Sequence, residues 1–280
     1  MGISNSAARW LARLCTERRI GGRCLQLGRQ DVFLTAEQLA AILIDTGLAL
    51  RTPNGVALID PQVAARLARL RGADRELAAK PEFRAQGYIS DAMLFTALGF
   101  EVVESLDSSA YEGADLVFDL NRADLPAVAC GRYDLVVDGG TMEHVFHVPN
   151  VFRNIHAALA VGGHVVHLAP SNNHVDHGFY QLSPALFWEY YTANRFELAR
   201  CDFFRYTIVP AEQPWMFSEY RPGALDAISS GGLDDKLYGV AVCARKTAES
   251  TWDVVPQQGG YANQWRPSAP AAAGAAVGGA

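Results

Sequence analysis

The pattern of apolar and polar positions is most regular between residues 133 and 173, where it predicts a strand, a helix and a second strand. Strand-forming residues occupy positions 135–137, which is typical of a buried strand. A helix follows, with Pro149 in its first turn and apolar residues along one face, and it ends at the Gly-Gly pair 162–163. A second buried strand is expected over residues 165–169.

A strand, a helix and a strand in this order form a βαβ unit, and such units build parallel sheets. Ligands of open parallel sheets bind beyond the carboxyl ends of the strands. We therefore expect the functional residues in the two segments that follow these strands, residues 138–147 and 170–180.

The other predicted elements extend this unit into one α/β domain. Helices are expected over residues 7–19, 35–43, 61–70, 91–98 and from Ser183, and strands over residues 23–27, 101–103, 116–118, 203–208 and 238–245. The fold class is a Rossmann-like α/β domain over residues 21–246, with a mostly parallel seven-stranded sheet and helices on both faces. A helical arm (1–20) precedes it, an insertion or cap occupies about residues 46–90, and the Pro-, Gly- and Ala-rich residues 247–280 are predicted to be disordered.

Charge, cysteine content and hydrophobicity indicate which partners and which cellular location to expect. The net charge is −6 and basic residues are interspersed with acidic ones, which argues against a nucleic-acid-binding surface. The five cysteines include no CxxC pair, so neither a disulfide framework nor a thiolate zinc site is indicated. No apolar run is long enough for a membrane span or a signal peptide, and a cytoplasmic location is expected. Homo-oligomerisation is left open.

Three predicted strands are followed by a carboxylate at the same end of the sheet: Asp107, Asp119 and Asp138. In a doubly wound sheet these side chains surround one crevice, where a carboxylate can accept hydrogen bonds from both hydroxyls of a ribose. The alternative is that aspartate ends strands simply because it favours turns.

All seven histidines lie between residues 144 and 177. Four of them, His144, His147, His174 and His177, fall in the two loops at the carboxyl end of the sheet, where an imidazole can act as a base near neutral pH. The same loops hold hydrogen-bonding neighbours: Asn172, Asn173 and Tyr180. Structural hydrogen bonding, or a metal site completed by Asp176, are the alternatives for these histidines.

The stretch YDLVVDGGTMEHVFHVPNVFRNIHAALAVGGHVVHLAP resembles the region that begins at the fourth strand of class I S-adenosylmethionine-dependent methyltransferases. The following SNNHVDHGFYQLSPALFWEYYTANRF is similar to a segment of small-molecule and glycan methyltransferases. The resemblance implies that Gly28 lies near the methionine part of S-adenosylmethionine, that Asp107 holds its ribose, and that Asp119 and Leu120 flank its adenine. It also implies that the last strand is antiparallel and that Asp138, Gly139 and the residues up to Glu143 line the reacting end.

By this resemblance the chain is expected to transfer a methyl group from S-adenosylmethionine to an oxygen or nitrogen of a small molecule or glycan. His144 or His177, beside Glu143, is the expected base, and Asn172, Asn173, His174 and Tyr180 are expected to contact the acceptor. No metal ligand is assigned.

The chain departs from the family pattern in its first loop, where Arg29 and Asp31 stand in place of small residues. A cofactor-binding or regulatory module without catalysis is therefore one alternative. A metal-dependent enzyme that uses the histidine loops is another.

Overall fold

A computed structural model of the chain describes residues 2–52, 57–208 and 214–259. In chain order its strands are β1 (Gly22–Leu27), β2 (Ala49–Arg51), β3 (Ala57–Ile59), β4 (Phe100–Asp107), β5 (Leu116–Val117), β6 (Tyr133–Asp138), β7 (Leu159–Pro170), β8 (Glu197–Tyr206), β9 (Met216–Glu219) and β10 (Leu237–Arg245). Its α-helices are α1 (Asn5–Arg18), α2 (Ala36–Asp45), α3 (Pro61–Gly72), α4 (Pro81–Arg84), α5 (Asp91–Ala97), α6 (Val148–Ala158) and α7 (Pro184–Ala193). None of these helices is long and apolar enough to cross a membrane.

The main sheet has the order β5-β4-β1-β6-β7-β10-β8-β9 among the described residues. The five strands from β5 to β7 are parallel, whereas β10 runs antiparallel to both of its neighbours. The prediction of a mostly parallel α/β sheet with an antiparallel last strand is confirmed. The described part of the chain places eight strands in this sheet rather than the predicted seven, because the four-residue β9 pairs with the edge of β8 in a segment too short to show a periodic pattern.

Apolar side chains cover both faces of the sheet. Successive residues of β6 alternate between two cores, with Leu135 and Val137 in one and Val136 in the other. Helices α1, α2 and α5 supply the first core, and α6 and α7 supply the second. Each fully buried Leu, Val or Phe contributes about 1.5–3 kcal/mol to folding. The result is a three-layer arrangement that holds the carboxyl ends of β1, β4 and β6 at one edge.

The predicted strand, helix and strand of the central unit are present, but the helix ends earlier than expected. Helix α6 ends at Ala158, and β7 begins with the next residue. The pairing with β6 shifts register over residues 160–163, which contain the Gly-Gly pair. A Cβ on Gly163 would lie 2.7 Å from the carbonyl oxygen of Tyr133. The glycines therefore permit a strand irregularity with close backbone approach rather than a helix end.

The segment between α2 and α5 contains a two-stranded hairpin, β2 and β3, followed by α3 and α4. Helix α3 packs against α5 and so ties the segment to the domain. At its far end the ammonium group of Lys80 lies 2.7 Å from Asp31 Oδ2 and 2.9 Å from Glu112 Oε1. The inserted segment therefore reaches the loops at the carboxyl edge of the sheet.

The residues after β10 pack on the domain as far as they are described. Asn194, which is fully buried, donates to the carbonyl of Val254 at 2.9 Å and accepts from its N–H at 3.0 Å. The guanidinium of Arg153 lies 4.2 Å from the ring centre of Trp252. The sequence predicts disorder for residues 247–280, since composition does not reveal these polar anchors of residues 247–259. Residues 260–280 lie outside the described residues.

Candidate active site

A crevice of about 550 Å³ opens at the carboxyl ends of β1, β4 and β6. Volumes of this size are typical of cofactor and small-ligand sites. Its wall includes four of the residues predicted to bind a cofactor, Gly28, Asp107, Asp119 and Leu120, together with Thr141 and His144. The strand ends thus converge as the parallel sheet requires.

Gly28 occupies a position that only glycine tolerates well. Its φ is +67°, and a Cβ there would lie 2.7 Å from the hydroxyl of Thr141. The hydroxyl of Thr141 donates to the carbonyl of Leu27 at 2.5 Å, while the N–H of Gly28 donates to the carbonyl of Leu106 at 2.8 Å. These bonds join the ends of three strands and leave the Gly28 backbone facing the crevice.

The bulky residues of the first loop are anchored to the wall of the crevice. Arg29 donates to Asp91 Oδ1 at 3.4 Å and to the carbonyl of Glu112 at 3.1 Å. Asp31 is bound by Lys80 of the inserted segment. Arg29 and Asp31 therefore tie the loop to its surroundings, and the crevice stays open beside them. No pattern along the chain points to Lys80, since its partner Asp31 is 49 residues away.

Asp107 and Asp119 present carboxylates to the crevice. Asp107 ends β4, and within the described residues its carboxylate accepts from the Ser108 hydroxyl at 3.2 Å and the Ser109 N–H at 3.4 Å, both next to it in the chain. Asp119 accepts from the backbone and side-chain amides of Asn121, and these bonds lower the pKa of Asp119. Leu120, which is mostly buried, adds an apolar side chain to the same wall.

Asp138 and Gly139 are both buried, and neither is among the residues that line the crevice. Asp138 is fully buried and accepts from the backbone N–H groups of Thr141 and Met142, both at 3.0 Å. A Cβ on Gly139 would lie 2.3 Å from the side-chain oxygen of Gln30, so this glycine allows close packing. Asp138 shapes the loop after β6 because it pairs two backbone N–H groups that the turn would otherwise leave unpaired. Gly139 shapes it by letting the Gln30 side chain pack closely.

Glu143, His144 and His177 form a compact cluster at the same edge. His177 Nε2 lies 3.5 Å and His144 Nε2 lies 3.8 Å from Glu143 Oε1, and the two imidazole rings are 5.1 Å apart. Burial, and secondarily Asp138, raise the pKa of the Glu143 carboxyl above its ordinary value. Burial also lowers the pKa of both histidines. His144 belongs to both the cluster and the crevice wall, so the two features are continuous.

The two histidine loops face each other and are bound together. The N–H groups of Phe179 and Tyr180 donate to the carbonyl of Glu143 at 2.8 and 3.2 Å. The hydroxyl of Tyr180 donates to the carbonyl of Phe146 at 2.7 Å. A Cβ on Gly178 would lie 2.9 Å from the Glu143 carbonyl oxygen, so a glycine is needed at this crossing. Tyr180 therefore joins the loops instead of presenting a free hydroxyl.

Of the other residues predicted to contact the acceptor, two asparagines hold the loop in place and one histidine lies beside the cluster. Asn172 pairs through its backbone with Tyr238. Asn173 donates from its side chain to the carbonyls of Asp234 and Lys236, at 3.0 and 2.6 Å, so both asparagines hold the loop. His174 remains beside the cluster, with its ring 5.7 Å from that of His177 and its Nε2 3.2 Å from the Tyr206 hydroxyl.

His147 and Asp176 do not join the cluster. His147 precedes α6, and its ring packs against Phe146 with the centroids 5.5 Å apart. Among the described residues the compact group of potential metal-ligating atoms consists of Glu143, His144 and His177.

The sheet order and the position of the crevice define the fold class. Strands run outward in both directions from β1 and β6, and the crevice lies at this switch point, as in doubly wound nucleotide-binding domains. Residues 81–209 match the family model described as a methyltransferase domain. The matched segment runs from α4 to β8, so the similarity to a methyltransferase domain covers β4, β6 and β7 of the central sheet.

Solved structures similar to this chain include three methyltransferases of low identity. The S-adenosylmethionine-dependent methyltransferase from Mesorhizobium loti is 17% identical, with 86% of this chain and 98% of that chain covered and a TM-score of 0.33. Phosphoethanolamine N-methyltransferase 2 from Haemonchus contortus is 14% identical, with coverages of 85% and 53% and a TM-score of 0.40. The 1,6-didemethyltoxoflavin-N1-methyltransferase from Burkholderia thailandensis is 14% identical, with coverages of 86% and 79% and a TM-score of 0.30. No curated protein sequence matches the chain.

Proposed function

We propose that the protein methylates an oxygen or nitrogen of a small molecule or glycan. The observation that carries this proposal is the position of His144, which lines the crevice and also belongs to the Glu143–His144–His177 cluster. A group able to accept a proton therefore lies at the end of the cofactor crevice. Methyl transfer to a hydroxyl or amine is accelerated by that arrangement, because the acceptor gives up a proton during or after its attack on the methyl group.

The residues of the crevice suit S-adenosylmethionine as the methyl donor. Asp107 has free acceptor capacity for the two ribose hydroxyls, since its own hydrogen bonds are long and local. Leu120 offers an apolar surface to the adenine, and Asp119 lies beside it at the rim. Gly28 allows close approach at the methionine end. Bound S-adenosylmethionine supplies a methyl group already activated by a positively charged sulfur.

The acceptor is assigned to the face of the cluster. The side chains of His144 and His177 are 46% and 36% exposed, so an acceptor can reach both imidazoles from solvent. One imidazole takes the proton from the acceptor hydroxyl or amine, and the Glu143 carboxylate stabilises the imidazolium that results. His174 is placed next to this pair and would contact the outer part of the acceptor. A nucleic-acid or membrane partner is not part of the proposal.

The test combines a panel of acceptors with two matched histidine variants. Formation of S-adenosylhomocysteine would be measured with amino- and hydroxyl-bearing small molecules and with free glycans. His177→Ala should lower turnover by about 10²–10⁴-fold, the usual contribution of a positioned base. His147→Ala, which removes an exposed histidine outside the cluster, should leave turnover unchanged. Tight cofactor binding with no turnover on any acceptor class would instead favour a binding module with a methyltransferase fold.

A further inference from the structure

The three side chains of the cluster approach one another at distances that hydrogen bonds do not explain. Glu143 Oε1 lies 3.5 Å from His177 Nε2 and 3.8 Å from His144 Nε2, whereas N–H···O bonds are usually 2.7–3.2 Å. Ligands held at about 2.0–2.1 Å in a tetrahedral zinc site lie roughly 3.3–3.5 Å from each other. Both Glu143 distances are longer than hydrogen bonds, and the three potential ligand atoms all lie within 4.8 Å of one another, so one ion can contact all three with a small adjustment of the side chains.

Glu143 adds an independent observation. Its side chain is fully buried, and neither carboxylate oxygen has a hydrogen-bond partner in the part of the chain that the structure describes. A buried carboxylate without a partner is costly, and a cation supplies both the charge and the ligand contact that it lacks. The Glu143 backbone is held in place by the N–H groups of Phe179 and Tyr180, so the carboxylate is aimed at the two imidazoles by the fold itself.

We propose that Glu143, His144 and His177 bind a divalent transition-metal ion such as Zn²⁺. Two imidazoles and one carboxylate are the donors that Zn²⁺ and its neighbours in the transition series prefer, whereas Mg²⁺ and Ca²⁺ favour all-oxygen sites. The exposed faces of His144 and His177 leave room for water or another ligand to complete the coordination.

The site rests on geometry alone, but its effect on turnover rests on the proposed function. An imidazole nitrogen that is bound to a metal ion has no free lone pair and cannot accept a proton from the acceptor. Metal binding and general-base catalysis are therefore alternatives at these histidines, and the ion inhibits methyl transfer by occupying the base.

The binding test uses the full-length, tag-free protein after dialysis against a chelator, with ZnCl₂ as the titrant in a calorimeter. The parent protein should bind one ion, and Glu143→Gln and His177→Ala should each weaken binding by at least about tenfold, as loss of a ligand requires. His147→Ala is the matched control and should bind as the parent does. Bound Co²⁺ should give visible absorption bands in the parent that His177→Ala abolishes, and melting temperatures would verify that each variant is folded.

The outcomes separate the metal site from the proposed function. Absence of stoichiometric binding by the parent, or equal losses in His147→Ala and His177→Ala, would overturn the site. Binding accompanied by inhibition that a chelator reverses would support both. If Zn²⁺ binds at the cluster while turnover is unchanged, the site stands and the base assignment fails. If turnover depends on the three residues but no ion binds, the proposed function stands and this inference fails.

Discussion

His167 Nδ1 lies 2.7 Å from Asp138 Oδ2, and both side chains are completely buried between β6 and β7. The other ring nitrogen of His167 lies 2.6 Å from the hydroxyl of Tyr191 on α7. Because Asp138 also accepts the N–H groups of Thr141 and Met142, this chain of hydrogen bonds links a core helix to the loop that carries Glu143 and His144. The histidine therefore positions the site without touching it.

Tyr191→Phe tests this link. Removing the hydroxyl leaves Nε2 of the buried His167 without a partner, which should cost about 1–3 kcal/mol of unfolding free energy in urea denaturation. Tyr190→Phe is the control, since the Tyr190 hydroxyl donates to the carbonyl of Trp252 at 3.2 Å in a part-buried position. An equal or larger loss of unfolding free energy in Tyr190→Phe would show that the Tyr191–His167 hydrogen bond contributes no more to stability than a part-buried one.

The part of the site that could be predicted from the sequence consists of strand ends. Gly28, Asp107 and Asp119 each follow or end an apolar run, and a parallel sheet brings such positions to one edge whatever the rest of the chain does. The facing of Glu143 and His177 follows from the same rule, since their loops come after adjacent strands.

The partners of these residues could not be predicted, because they depend on contacts between distant segments. The pattern shows that His167 lies on a strand, but Asp138 and Tyr191 are 29 and 24 residues away. Asp107 and Asp138 both end a predicted strand, but Asp107 lines the crevice whereas Asp138 is fully buried. The difference depends on which distant segments pack over each carboxylate. The anchoring of residues 247–259 by Asn194 could not be predicted either, because it also depends on contacts between distant segments.

Asn194→Ala tests the docking of the segment after β10. The side-chain amide of Asn194 makes four hydrogen bonds, to the Tyr190 carbonyl, the Thr251 hydroxyl and both backbone groups of Val254, and all four are lost in the variant. We expect about 2–4 kcal/mol of lost stability and faster proteolysis after residue 246. Thr251→Ala removes only one of these bonds and should cost less than half as much. Unchanged proteolysis in Asn194→Ala would show that the segment is held by other contacts.

His164 should make the protein sensitive to acid. Burial, and secondarily Arg245, lower the pKa of His164 from 6.5 to about 4, with Glu197 opposing and Arg18 assisting. The unfolded chain therefore binds a proton at this residue below pH 6.5 that the folded protein does not bind until about pH 4, and stability falls as the pH drops through this interval. Over the same pH range the free energy of unfolding of His164→Gln should fall by roughly 1–2 kcal/mol less than that of the parent, allowing for partial solvent screening. Denaturation at a series of pH values measures the difference, and parallel curves would refute it.

Asp107→Ala tests the cofactor end of the site independently of the acceptor. A carboxylate that accepts both ribose hydroxyls contributes about 1.5–3 kcal/mol, so the affinity for S-adenosylhomocysteine should fall by roughly 10- to 150-fold in a titration calorimeter. Asp124→Ala is a matched control, because Asp124 is an exposed carboxylate paired with Arg122 outside the crevice. His177→Ala should bind the cofactor as tightly as the parent, since His177 does not line the crevice. If Asp107→Ala keeps full affinity in a folded protein, the ribose is held elsewhere and the orientation assigned to the cofactor must be reversed or abandoned.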